Sequence, residues 1–207
     1  MTSFITTYRP IIIQRAGRDA ARKFDLPPFI DGSCRREPDL QACFPSITAL
    51  CRGANFAPRV HVGDTIAYLT VKTSYPGHGE PHRRLTAVLH VEKRFESHQD
   101  AAQWYRAAGM KLPSNCCVPG NKPIPFKRTV QHKDPCAWDS EYQQKARRWP
   151  VFIMSRALYL DLQEPPIVTD ETLVEVFGYV PVTRTPPRID DAAIDRLCEL
   201  CSVELAP

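Results

Sequence analysis

The sequence predicts an α+β fold with a mixed, barrel-like β core and helices at its periphery. Two observations lead there. Residues 65–72 form a β-branched and aromatic run. Residues 85–94 answer it with a strict alternation of Leu85, Ala87, Leu89 and Val91 against Thr86, Val88, His90 and Glu92. Successive strand side chains point to opposite faces, so the first set is expected to face the core. The chain also carries several strand candidates, few helices and no regular βα alternation, which argues against a doubly wound parallel sheet.

Residues 3–7 read as a short strand, with Pro10 punctuating it and Ile11 to Ile13 resuming an extended run. Residues 14–23 suit a helix whose charges lie in water, closed by Leu26-Pro27-Pro28, because a residue before proline is pushed out of helical geometry. Asp31-Gly32 marks a turn, and residues 33–39 read as a polar surface loop. Pro45-Ser46 opens an expected helix through Cys51, with Ile47, Leu50 and Cys51 on one face. Val62-Gly63-Asp64 is the turn before the central hairpin, whose own loop spans residues 74–84. Ser97 is a helix N-cap with Asp100 three residues on. Ala101, Trp104, Tyr105 and Ala108 make one apolar face, and Gly109 stops the helix.

Residues 110–136 have no periodicity, and a structureless stretch of that length in a compact domain is usually functional or disordered. Asp139 or Ser140 is expected to cap a charged helix reaching Arg148. Residues 151–154, 157–162 and 173–177 complete the strand candidates. Asp190 or Asp191 caps a last helix with Ile194, Leu197, Cys198 and Cys201 along one side. The expected organisation is an α+β domain over residues 1–182, with a proline-containing link and C-terminal helix, residues 183–207, packed on it.

Twenty prolines against nine glycines point to loops of fixed path rather than a floppy linker. A net charge of +4 permits an anionic partner without demanding one. No cationic region followed by an apolar stretch opens the chain, and no apolar run approaches a membrane span. The expectation is a soluble, cytoplasmic protein with no membrane partner and with most of its eight cysteines reduced.

The hairpin carries a family resemblance. Val60-His61-Val62-Gly63-Asp64-Thr65-Ile66-Ala67-Tyr68-Leu69, a loop, and then the segment from Leu85 to Phe95 resemble the apolar-x-Gly-Asp strand, loop and return strand of PUA-like domains. These include the ASCH, EVE and YTH families. The chain is also similar to the second family of bacterial nucleotide-modification-associated domains, in which a Cys-containing loop and a short helix precede the Gly-Asp strand. The segment from Phe152 to Leu160 has a similar look. The resemblance covers residues 3–180 in element order. It implies a pseudo-barrel with a cleft for a base or nucleotide. Some such relatives hold modified bases in aromatic cages, and a few ASCH members are hydrolases. No compact aromatic motif of this sequence maps onto a cage position by position.

The candidate binding residues fall in the two irregular loops. Arg35 and Arg36 suit phosphate because a guanidinium presents a planar fork of donors, and Glu37 and Asp39 can accept from a base edge. The competing reading is a solvated loop whose charges pair with one another. Ser114 and Asn115 form the second group, since an amide offers both donor and acceptor, against a mere turn-organising role. Lys111, Lys122, Lys127 and Arg128 can follow a phosphate backbone. Trp138 is the preferred stacking residue, Tyr8, Tyr68 and Tyr75 are further candidates, and Trp104 reads as core.

Cys198 and Cys201 are the only CxxC pair and read as helix packing, so no metal site and no cofactor is assigned. Cys116 becomes a nucleophile only if a histidine such as His132 comes near. The chain has no GxGxxG, P-loop, HExxH or GxSxG, so no catalytic motif is present. Three functions remain open: a binding module for nucleic acid or a modified nucleotide base, a small hydrolase or transferase acting on a nucleotide or base, and a protein-interaction domain.

Overall fold

The computed structural model describes residues 2–124 and 135–206, with side chains in the second stretch from Asp139 onward. Its centre is a seven-stranded sheet of mixed sense. The strands are β1 (Ser3–Tyr8), β2 (Ser46–Thr48), β3 (Thr65–Thr70), β4 (Arg83–Phe95), β5 (Phe152–Leu160), β6 (Ile167–Val168) and β7 (Arg188–Ile189). Their order is β2-β5-β4-β3-β1-β7, with β6 on one end of β4. β1 and β3 run parallel, in register from Ser3 opposite Thr65 to Tyr8 opposite Thr70. Antiparallel pairs make up the rest. The helices are α1 (Arg15–Lys23), α2 (His98–Ala107), α3 (Pro135–Arg148), α4 (Asp170–Phe177) and α5 (Asp191–Leu200).

The α+β class stands, but the sheet is open and not a closed barrel. Its terminal strands are short, three residues in β2 and two in β7. Closure is not needed to hide apolar surface, because both faces are covered. Phe4, Tyr8, Ile66, Tyr68, Ala87, Leu89 and Val91 pack on one face with α1 and the irregular segment holding Ile30, Leu40, Phe56 and Val60. Ile5, Ala67, Leu69, Leu85 and Val88 pack on the other, under Leu173 of α4 and Ile194, Leu197 and Cys198 of α5. The expected one-sided β4 is therefore corrected. Val88 is as buried as its neighbours, and Leu85 joins Val88's face rather than Ala87's. Irregularities in the pairing at Tyr68/Leu69 and Val88/Leu89 break the simple two-residue alternation.

Three local assignments also change. Ser46–Thr48 is a strand and not a helix, because its backbone is spent on β5, with Ile47 opposite Ile153. Residues 173–177 belong to a helix. Thr169 caps it by accepting from the Thr172 N–H, and Gly178 ends it at φ 76°. Among the described residues helix α3 covers Pro135–Arg148, so Asp139 lies inside it and is free to pair elsewhere. By contrast Ser97 caps α2 as expected, accepting from the Asp100 N–H, and Asp190 caps α5. Among the described residues, no helix is long and apolar enough to cross a membrane.

Candidate functional site

Residues 33–39 are not a surface loop. Arg35 is 1% exposed and Glu37 7%. Arg35 donates from Nε and Nη2 to the Asp139 carboxylate at 2.6 and 3.1 Å. Its remaining donors reach the Ser114 and Asn121 carbonyls. Asp39 accepts from both the N–H and the Oγ of Ser114, each at 2.7 Å. Glu37 accepts from the Thr48 N–H, the Thr48 hydroxyl and the Asn115 amide. Asn115, fully buried, also takes the Ser46 hydroxyl and donates to the Ser46 carbonyl.

The structure thus brings together Arg35, Arg36, Glu37, Asp39, Ser114 and Asn115, six residues drawn from two loops nearly 80 positions apart. It also corrects what they do. Asn115 has no free edge for a base, and Arg35 has no free fork for a phosphate. They lock the two loops to each other. Arg128 and the side chain of Trp138 lie outside the described residues, as does His132. Cys116 is buried and burial pushes its thiol up to about 12, so it is no thiolate at neutral pH. Trp104 packs partly against the cluster under α2, and Tyr75 is buried against Phe29 and His82.

Glu37 and Pro38 of the 33–39 segment also line a cavity. It lies where the parallel strands β1 and β3 end, has a volume of about 440 Å³, and falls in the range of small-ligand pockets. Tyr8, Phe56, Tyr68 and Tyr142 supply aromatic wall. Tyr68 stands at the corner, 6.1 Å from the Tyr8 ring and 6.4 Å from Phe56, edge-on to both. Glu37, Asp31 and Ser33 supply polar groups, and Arg9, Arg52 and Arg184 supply charge. Arg9 and Arg184 are exposed. Arg52 donates to the carbonyls of Thr7, Thr183 and Arg184, which ties the late link to β1. None of the three forms a salt bridge among the described residues.

Glu37 is the carboxyl here whose charge at neutral pH is changed. Burial raises its carboxyl to about 8; the Thr48 and Asn115 hydrogen bonds oppose the shift, and the Asp31 charge adds to it. At neutral pH it holds a proton and can donate as well as accept. The Cys51 thiol opens onto the same concave wall. Among the described residues, no group of three or more His, Cys, Asp and Glu is placed to hold a metal ion.

No known family model matches this chain. No curated protein matches it either.

The sequence named Tyr8 and Tyr68 as stacking candidates and Glu37 as a base-edge acceptor. It missed Arg9, Asp31, Arg52, Phe56, Tyr142 and Arg184. No local signal marks these, since they come from five separate segments that only the sheet and the loop lock converge.

Proposed function

We propose that the cavity binds a nucleotide, free or within a nucleic acid, with the base against the tyrosines and Glu37 and a phosphate toward the arginines. The carrying observation is the combination in one cavity of aromatic wall, a buried carboxyl protonated at neutral pH, and two exposed arginines, Arg9 and Arg184, that form no salt bridge among the described residues. Each part suits one part of a nucleotide. Rings offer stacking, a protonated carboxyl can both donate to and accept from a base edge, and guanidinium forks match phosphate oxygens. The PUA-like resemblance of the Gly-Asp hairpin supports the same reading, and a modified base is the class of ligand it favours.

The test titrates nucleoside monophosphates and short DNA and RNA oligonucleotides, modified and unmodified, at low salt. Binding is expected to weaken as salt rises. Arg9→Gln/Arg184→Gln is expected to weaken it by about tenfold, the worth of roughly 1.4 kcal/mol. Both side chains are exposed, so the fold should survive. No saturable binding across the panel sinks the proposal.

One observation favours a second reading, a hydrolase or transferase acting on a nucleotide or base. A carboxyl raised to about 8 inside a cleft is the kind of group that donates a proton to a leaving atom. Turnover of a bound nucleotide that Glu37→Gln abolishes while binding persists would select it.

A further inference from the structure

A second cavity lies on the other side of the same chain segment. Glu37 and Pro38 line the first, whereas Arg36 and Asp39 line the second. The second has a volume of about 530 Å³ and is otherwise walled by residues 41–43, 111–114 and 121–124. We propose that it is an oxyanion site that takes a phosphate group, with Arg36 as its buried donor and Lys111 and Lys122 at its edge.

Arg36 carries the argument. It is 8% exposed, yet it forms no salt bridge among the described residues. Nη1 donates to the Gln41 side-chain oxygen, and Nε is buried without an acceptor. The adjacent Arg35 shows what this fold does with a guanidinium it uses structurally: a carboxylate and two carbonyls satisfy it. Burying a cation with donors left over is costly unless an anion completes it. Asp39 lines the same cavity but forms no salt bridge with Arg36; its carboxylate accepts from Ser114 and from the Gln41 N–H.

The surroundings fit a dianion. Lys111 and Lys122 are exposed and unpaired among the described residues, so three cations face one carboxylate around the cavity. The wall is braced, since Asn121 donates from its side chain to the Pro113 and Cys116 carbonyls. Burial pushes the Arg36 guanidinium down while Asp39 and Asp31 oppose it, and a bound phosphate would add to their effect. The planar fork and the flanking ammonium groups match phosphate oxygens. The group can be free inorganic phosphate or the phosphate of a nucleotide. This site does not depend on the first cavity's being a nucleotide site.

The test is isothermal titration of the full chain with inorganic phosphate and, separately, with a 5′-phosphorylated dinucleotide. Saturable phosphate binding is expected, weakened tenfold or more in Lys111→Glu/Lys122→Glu and lost in Arg36→Gln. A saturable phosphate site should persist in Arg9→Gln/Arg184→Gln, which separates it from the first cavity. The lysine pair is exposed, so that variant should fold even if Arg36→Gln does not. Competition by the dinucleotide would name a nucleotide as the source, and its failure to compete would name the free ion; both patterns support the site. Absence of phosphate binding, or binding that the lysine variant leaves intact, overturns it.

Discussion

Arg35 and Glu37 are two residues apart and are handled in opposite ways. The Arg35 charge is compensated by Asp139, 2.6 Å away, and two carbonyls take its other donors. Glu37 is buried with no salt bridge among the described residues, and burial, with the Asp31 charge adding to it, outweighs the Thr48 and Asn115 hydrogen bonds, so it holds its proton. Removing one member of a buried ion pair leaves the other uncompensated, which costs about 3–5 kcal/mol. Asp139→Ala should therefore lower stability by about that much in urea denaturation. Arg35→Met/Asp139→Ala should recover part of the loss, since no charge is then stranded. An Asp139→Ala protein within about 0.5 kcal/mol of wild type would show that the carbonyls alone suffice.

Elements meet at close quarters in α1. A Cβ built on Gly17 would fall 1.9 Å from the Ile11 carbonyl oxygen. Glycine within a helix normally costs up to about 1 kcal/mol against alanine. Here the order should invert, with Gly17→Ala destabilising by about 1–3 kcal/mol because the backbone before α1 must move. A higher melting temperature for Gly17→Ala would contradict this contact. At this scale the sequence was legible where caps spoke, as at Ser97 and Asp190. It misled at Ser46, where a helix-like spacing of Ile47, Leu50 and Cys51 yielded to pairing with a strand more than 100 residues away. It misled again at residues 173–177, where a short apolar run fits helix or strand. There Thr169 and Gly178 were the deciding signals.

For the whole molecule, Glu37 and His98 set opposing pH dependences. The Glu37 carboxyl rises from 4.5 to about 8, so the folded state holds an extra proton between those values and stability falls as pH rises through them. His98, 2% exposed and lowered from 6.5 to about 4 by burial and then by the Arg35 charge, does the reverse; stability is lost as pH falls through that window. Between 4.5 and 6.5 the slopes oppose each other. From pH 6.5 to 8 Glu37 acts alone, at no more than about 1.4 kcal/mol per pH unit. Urea denaturation from pH 4 to 8.5 should show a plateau and then a decline. Glu37→Gln should remove the decline and leave only the rise from His98. An unchanged decline in that variant would refute the assignment.

The sequence by itself determined the α+β class, the central hairpin with its Gly63-Asp64 turn, and the caps of α2 and α5. Each of these is a local pattern or a spacing, which the chain carries without reference to distant partners. Only the tertiary structure decided that the sheet stays open, because covering by α1 on one face and by α4 and α5 on the other depends on long-range packing. Only it decided that Arg35, Asp39, Ser114 and Asn115 spend their hydrogen bonds on one another. Hydrogen bonding saturates, and a residue type announces what it can offer but not whether a neighbour has already taken it. The polar groups left facing cavities, Glu37 on one side of the segment and Arg36 on the other, are those that the fold did not fully consume with charged partners.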